Sequence, residues 1–499
     1  MIGRSSIPTQ LRVAMAITAA VCVLGALFPD SDLIPFRKVL ETSRTVQAAT
    51  QATRSLFLIG AFVCAGVFAA QYWIRQGIAA GVQSITHWSS KTFWWLVCGL
   101  AVGLRLTALL FLPHSALEND GLWYHKAAIA IVAGQGLQPN GVPTAYRPPG
   151  YSTLLALTYR LFGPYPEWAF FWGLASTGVI LLTTYRLADR LYGKTIARIA
   201  TLIIAFYPAL ILYTEQPTSD LVFTAGLMLV CYVVTLHPPY RWLETMGIGV
   251  VLGLLTLTRS VSIGLFLVVP LLWFIQQANF RKLLLHSILL TCVFAACLLP
   301  WLLRNYTIFG ILALTTNMGL NLYIGNHIDA SGTCIAICRM PAPSWDFDLK
   351  LNEAQVDRIY LQTAIQFVLA QPVDALIIVP KKIVHLFLLE VGAAQSLFQD
   401  QPPLFKYSAY GITQLFYVPI LILFALRILN MTDLTTRPRG IQWTGLIIVG
   451  YFTLMAMLFF GLDRYRLPFM PWMIIESSIV VAWLGTLPKT NGGSQHAGS

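Results

Sequence analysis

FWWLVCGLAVGLRLTALLFLP (Phe93–Pro113) is followed, four residues later, by ENDGLWYHKAAIAIVAGQGLQPNGVPTAYRPPGY (Glu118–Tyr151). An apolar run of roughly 20 residues crosses the hydrocarbon core of a bilayer, so the polar stretch falls at its end. That alternation recurs along the chain and decides the fold class: an all-α polytopic membrane protein. Within the polar stretch, Asp120 stands where a helix starts, after Asn119 and before helix-forming residues. Free backbone amides and the positive helix end favour a carboxylate there. Tyr124 lies one turn on, on the same face, and His125 follows. Gly134, Gly136 and Gly141 break the helix, and Arg147-Pro148-Pro149-Gly150 sets an extended turn. On residue chemistry alone, a capped helix at a membrane interface explains these features as well as a reactive site does.

Composition extends the same reading. Of 499 residues, 57% are hydrophobic and 11% charged, with a mean hydropathy of +0.67. Apolar runs are read at 11–28, 56–74, 93–113, 167–187, 196–213, 219–236, 243–258, 261–277, 284–302, 408–428, 442–461 and 468–487, about 12 spans. The first follows Arg4 and Arg12 without a small-residue cleavage pattern, so it is expected to be an uncleaved anchor. A formal net charge of +12 is spread over loops rather than gathered in an arm, which argues against nucleic acid and for anionic membrane lipids or a phosphate-bearing lipid. Most of the eight cysteines lie in apolar runs; only Cys334 and Cys338 share a polar loop, where their spacing permits either a small disulfide or free thiols.

Arg186, Arg190, Lys194 and Arg198 form one basic cluster between spans, and Arg427, Arg437 and Arg439 another. The positive-inside rule places both in the cytoplasm. Thr214–Ser219, Arg259, Arg304–Pro372, Asp463–Leu467 and the Asp120 loop then face outward. Glu353–Gln371 carries Val356, Ile359, Tyr360, Ala364, Phe367 and Val368 at helical spacing and ends at Pro372. Asp374–Glu390 is apolar enough to span, but Lys381, Lys382 and His385 interrupt its middle. Both stretches are expected to lie along the outer face. NGGSQHAGS reads as a disordered tail, and no internal repeat is apparent.

Polar residues from distant segments thus converge on one membrane face. Asp120 comes from the first loop, Glu215 and Asp220 from YTEQPTSD, and Arg147, Arg259, Arg304, Arg464 and Arg466 from span ends. A carboxylate there can serve as general base to an acceptor hydroxyl. Arginines there can hold a phosphate and stabilise charge as it leaves. Taken singly, each has a simpler use: an arginine as a snorkelling anchor, Glu215 or Asp220 as a helix cap beside Thr218 and Ser219, His125 and His327 as hydrogen-bonded loop residues. No His or Cys/His pair has metal-ligand spacing. Phosphate-binding glycine loops and a Gly-x-Ser-x-Gly elbow are also missing. Asn305-Tyr306-Thr307 and Asn430-Met431-Thr432 match the glycosylation pattern, as short sequences do by chance.

The order of motifs resembles a known family. Asp120-x-x-x-Tyr124-His125, then GQG and TAYRPPGY, resembles the first outer loop of polyprenyl-phosphate-sugar-dependent glycosyltransferases of the GT-C superfamily, near protein O-mannosyltransferases and lipid A aminoarabinose transferases. LYGKTIARIATLIIAFYPALILYTEQPTSDLVFT, LLTLTRS, PWLLRNYTIFG with TTNMGLNLYIGNHIDASG, and DRYRLPFMPW resemble later segments, in the expected order. The resemblance implies a GT-C-type helix bundle with outer-face interfacial helices, and inverting transfer of a sugar from a polyprenyl-phosphate donor to a lipid, glycan or protein hydroxyl. It implies Asp120 as catalytic carboxylate and Asp220 as the second acid. It implies substrate contacts from Tyr124, His125, Arg147, Glu215, Arg259, Arg304, Asn326, Arg464 and Arg466, with Arg304 the first and Arg259 the second match for the lipid phosphate.

Departures are visible. Two spans precede the matched region, LTRS lacks the usual proline, and the first loop reads Glu-Asn-Asp rather than Asp-x-Asp, so no cofactor is read from the sequence and a divalent metal, though possible, has no clean acidic motif to support it. Acceptor recognition is expected from the outer loops. The expected organisation is an N-terminal helix pair (1–92), a catalytic membrane domain (93–487, with outer loops 114–166 and 304–407) and a tail (488–499), in the plasma or inner membrane with the site extracytoplasmic. The rival is a transporter or flippase of lipid-linked sugars, which should place polar groups near mid-membrane.

Overall fold

The computed structural model describes residues 71–113, 117, 119–236, 241–276, 278–334, 351–429 and 440–486. The expected span 11–28, most of 56–74, Cys338, the Arg437–Arg439 cluster and the tail lie outside them. Cys334 is disulfide-bonded. The chain divides into two compact units. In the unit of Met1–Trp88 with Ile479–Ser499, the described residues form α1 (Gln71–His87) and the final turns of the last helix.

The second unit, Ser89–Ser478, carries everything that follows. Its helices are α2 (Ser90–Phe111), α3 (Asn119–Val132), α4 (Gly150–Phe162), α5 (Trp168–Tyr192), α6 (Lys194–Phe206), α7 (Pro208–Glu215), α8 (Asp220–Leu236), α9 (Trp242–Thr258), α10 (Leu265–Ile275) and α11 (Phe280–Phe309). After them come α12 (Met318–Gly325), α13 (Glu353–Ala370), α14 (Pro372–Phe387), α15 (Gly392–Phe398), α16 (Pro403–Leu429), α17 (Thr444–Leu458) and α18 (Met470–Thr486). Among the described residues there is no strand.

Six of these segments are long and apolar enough to cross a membrane, or up to eight if each of two bent pairs is one span. Among the described residues this does not confirm the expected count of about 12, part of which lies outside them. The expected spans at 219–236, 243–258 and 261–277 correspond to helices of only 10–17 residues. Proline accounts for both bends. Pro208 removes the amide that would continue α6 into α7, and the axis turns by 48°. Pro372 does the same between α13 and α14, where the turn is 109°. At its other end α13 is fixed by a capping box between Asn352 and Gln355.

Close packing holds the bundle, because lipid supplies no hydrophobic drive between apolar helices. Along α9 and α11, a Cβ on Gly253 would lie 2.5 Å from Cys297 Cβ, and one on Gly249 3.0 Å from Val293 Cβ. Several charged groups inside are paired. Arg105 of α2, fully buried, donates to Thr177 and Thr214 Oγ1 at 3.1 Å each and to the Ala101 carbonyl. Arg427 meets Glu476 at 3.0 Å, and Tyr192 donates to the same carboxyl at 2.7 Å, tying α5, α16 and α18. Lys382, one of the residues that argued against a span at 374–390, is buried in α14. Its ammonium donates to Asn326 Oδ1 and the Met457 carbonyl at 2.9 Å each.

Candidate active site

Asp120 opens α3, Asp220 opens α8, Arg259 follows the last residue of α9, and Arg464 stands at the start of a 3₁₀ turn, Asp463–Phe469. Each is thus the polar end of an apolar helix. Asn119 enters α3 with φ +47°, a left-handed conformation that asparagine tolerates better than most residues.

Their side chains form one continuous chain of ion pairs. Arg464 Nη1 lies 2.5 Å from Asp120 Oδ2, while its Nη2 and Nε reach Asp220 Oδ2 at 2.5 and 2.9 Å. Arg147 Nη2 meets Asp120 Oδ1 at 2.6 Å, and Arg259 Nη1 meets Asp220 Oδ1. One guanidinium therefore bridges two carboxylates that are 100 positions apart in sequence, and a further arginine flanks each end. Three guanidinium groups face two carboxylates, leaving one positive charge in surplus. Asp220 is fully buried, whereas the Asp120 side chain keeps 23% of its surface and those of Arg147 and Arg464 keep 23% and 21%. Asp220 itself is closed to a substrate, while Asp120 and the three arginines keep part of their surface.

Burial alone would raise the Asp120 pKa, but Arg147 and Arg464 outweigh it and hold the carboxyl well below its ordinary range. Asp120 in turn drives the Arg147 pKa up against its own burial. The Arg147 guanidinium also sits 5.4, 5.7 and 5.6 Å from the rings of Trp123, Tyr124 and Tyr146, an aromatic surround that fixes its plane. Tyr124 touches Ser219 Oγ at 3.3 Å and crosses Tyr151 edge-on at 4.9 Å. Asp120, Asp220, Tyr124, Arg147, Arg259 and Arg464 are thus brought together as the sequence suggested.

The other expected residues are not in this chain of pairs. His125 Nδ1 bonds Tyr159 OH at 2.9 Å, and burial lowers its pKa, with Glu167 opposing. Both carboxyl oxygens of Glu215 are buried without a hydrogen-bond partner. Arg304 is directed at backbone: it donates to the Thr144 carbonyl at 2.8 Å and to Leu137 O at 3.4 Å, over the Trp301 ring at 4.7 Å. These bonds brace the first loop. Asn326 holds Lys382 and the Leu458 carbonyl. Arg466, fully buried, pairs with Glu390 at 2.7 Å over the Tyr417 ring, so it is a core residue rather than a substrate contact.

Three residues escaped sequence reading. Glu390 is the counter-ion of Arg466 and also accepts from Tyr207 at 2.8 Å. Asp463 accepts from the Val391 and Gly392 amides at 2.7 and 2.6 Å. Glu353 receives Thr144 Oγ1 at 2.8 Å, Thr316 Oγ1 at 2.7 Å and the Ala145 amide. The acidic residue just inside a capped helix was the only signal for Glu353. As to metals, all four oxygens of Asp120 and Asp220 are engaged by guanidinium nitrogens, and among the described residues no group of three His, Cys, Asp or Glu side chains could hold an ion.

Residues 146–303 match the family model of dolichyl-phosphate-mannose-protein mannosyltransferase. That region includes Arg147, Asp220 and Arg259. ArnT from Cupriavidus metallidurans bound to undecaprenyl phosphate is 14% identical, with 78% of this chain and 77% of that chain covered and a TM-score of 0.39. The Archaeoglobus fulgidus oligosaccharyltransferase in the apo form is 12% identical, with 78% of this chain and 49% of that chain covered and a TM-score of 0.46. Comparison with curated proteins gave no match. Over residues 146–303, the chain is similar to the dolichyl-phosphate-mannose-protein mannosyltransferases, in keeping with the glycosyltransferase motifs it carries.

Proposed function

We propose that the chain is an inverting membrane glycosyltransferase that moves a sugar from a polyprenyl-phosphate donor to a hydroxyl of a lipid, glycan or protein acceptor at the extracytoplasmic face. The observation that carries the reading is the Arg464 bridge between Asp120 and Asp220, which joins two acidic loops and three arginines at one cluster of helix ends. Asp120, the partly exposed carboxylate, is the base. The acceptor oxygen loses its proton to Asp120 and attacks the anomeric carbon; the bond from that carbon to the phosphate oxygen breaks, and the electron pair leaves with the phosphate. Arg259 and Arg464 stabilise that developing charge. Buried Asp220 holds both arginines in place.

The donor phosphate also answers how so weak a base can act. An arriving phosphate competes with Asp120 for the Arg464 guanidinium and loosens the hold that keeps the carboxyl acidic. This reading routes no step through a metal: the proton goes to Asp120 and the developing charge is met by Arg259 and Arg464. The polar groups sit at helix ends, and Arg105, inside a span, is engaged by hydroxyls and a carbonyl rather than lining a transport path. A flippase is therefore less well supported.

The test is transfer of label from radiolabelled polyprenyl-phosphate sugars in membranes, with a chelator present, and the configuration of the product at its anomeric carbon. Asp120→Asn should cost roughly 10²-fold or more in rate while leaving the fold and donor binding largely intact. Near-normal transfer by that variant would remove Asp120 from the mechanism, and a retained configuration would remove the inverting step.

A further inference from the structure

Arg147 can meet Asp120 only if the loop before it is held still, and that loop has no helix of its own. Leu137 to Tyr146 leads into Arg147; the Thr144 amide bonds the Leu137 carbonyl within the loop, and other groups bond neighbouring elements. Arg304 of α11 takes the Thr144 carbonyl at 2.8 Å, and the Thr316 amide takes the Ala145 carbonyl at 3.0 Å. What remains, the Ala145 amide and the Thr144 hydroxyl, goes to a single carboxyl on a distant element, Glu353 at the start of α13. Glu353 Oε1 also accepts from Thr316 Oγ1 at 2.7 Å. The Tyr146 amide closes the set by donating to Thr144 Oγ1 at 3.0 Å. Glu353 thus holds the Ala145 amide directly and the Tyr146 amide through the Thr144 hydroxyl, while Arg304 holds the Thr144 carbonyl, and Arg147 is the next residue.

We propose that Glu353 is a positioning residue: it clamps Thr144–Tyr146 so that Arg147 stays aligned on Asp120, and it thereby couples the α13 arm of the large loop to the base. The proposal rests on the glycosyltransferase reading for its kinetic consequence and on geometry alone for the clamp. Three donors need two carboxyl oxygens at full glutamate length. Glutamine keeps the Oε1 acceptor and can donate to Thr144 Oγ1, so Glu353→Gln should retain most of the function. Glu353→Asp, one methylene short, and Glu353→Ala should not. A misplacement of about 1 Å at a reacting group costs on the order of 10²-fold, so the alanine variant should lose between tenfold and a hundredfold in kcat with little change in donor KM.

Two readouts separate positioning from mere stability. First, a slack Arg147 leaves Asp120 with one firm cation instead of two, so the acid limb of kcat/KM should move to higher pH in Glu353→Ala and stay put in Glu353→Gln. Second, hydrogen exchange of the Ala145 amide in detergent-solubilised protein, followed on a peptide covering 139–147, should accelerate about tenfold or more in Glu353→Ala, as loss of a bond to a charged group implies. Unchanged exchange at Ala145, or lost activity with an unmoved acid limb, overturns the proposal. The exchange measurement needs no substrate, so it decides the clamp even where wild-type membranes transfer no sugar, an outcome that sinks the glycosyltransferase reading instead.

Discussion

Asp120 is held by two cations of different origin: Arg147 from its own loop and Arg464 from the far end of the chain. Removing one should be visible as a pH effect rather than a simple loss. A carboxylate whose pKa is depressed by cations regains its ordinary value as they are withdrawn. In Arg147→Ala the Asp120 pKa should therefore rise, and the acid limb of kcat/KM should shift upward while activity at alkaline pH falls less. An acid limb that stays in place would show that Arg464 alone sets the base. The residues of this site were legible to unequal degrees. Asp120, Asp220, Arg147 and Arg259 could be read because each stands at the polar end of an apolar run, which brings such residues to one face whatever the packing. Arg464 and Arg466 could not be told apart. They are two positions apart on a 3₁₀ turn, so they project about 120° from each other, and one meets the acids while the other enters the core. For Arg304 likewise, sequence gives the end of the helix but not the direction around its axis, and the side chain meets the first loop.

At the scale of the element, α9 deserves the closest test because its end carries Arg259. It reaches its position by lying against α11 with glycine at the contact, and Gly253 faces the Cys297 side chain. Even one methyl group there must push the helices apart. Gly253→Ala should destabilise the protein by about 1–3 kcal/mol, typical of an overfilled contact, and this can be measured as a lowered Tm in detergent. Cys297→Gly in the same chain should recover part of the loss, and a Gly253→Ala protein with an unchanged Tm would mean that α9 and α11 do not pack this tightly. Apolar runs revealed most helices, and Pro208 and Pro372 marked where two of them bend. The short outer pieces were harder. Lys381 and Lys382 argued against an ordinary span, and Lys382 is met by the Asn326 amide just past α12 and a carbonyl from α17, contacts that no local pattern encodes.

For the whole molecule, sidedness is the assumption on which the extracytoplasmic proposal depends. It can be tested with single cysteines at exposed positions, in a background lacking the native eight. Val142→Cys in the first loop and Asp400→Cys before α16 should react with an impermeant reagent added outside intact cells. Arg241→Cys, at the opposite end of α9 from Arg259, should be protected until the membrane is opened. The reverse pattern would put the site on the cytoplasmic side and leave its chemistry otherwise unchanged. The arithmetic of the ion chain then bears on behaviour in solution. With one guanidinium more than it has carboxylates, the cluster attracts an anionic head group through water before contact, and dissolved salt screens that attraction over about 10 Å at 0.1 M. Donor KM should therefore climb as ionic strength rises, while kcat, set by groups already in contact, should hold nearly constant. A KM indifferent to salt would mean that the lipid phase alone delivers the donor.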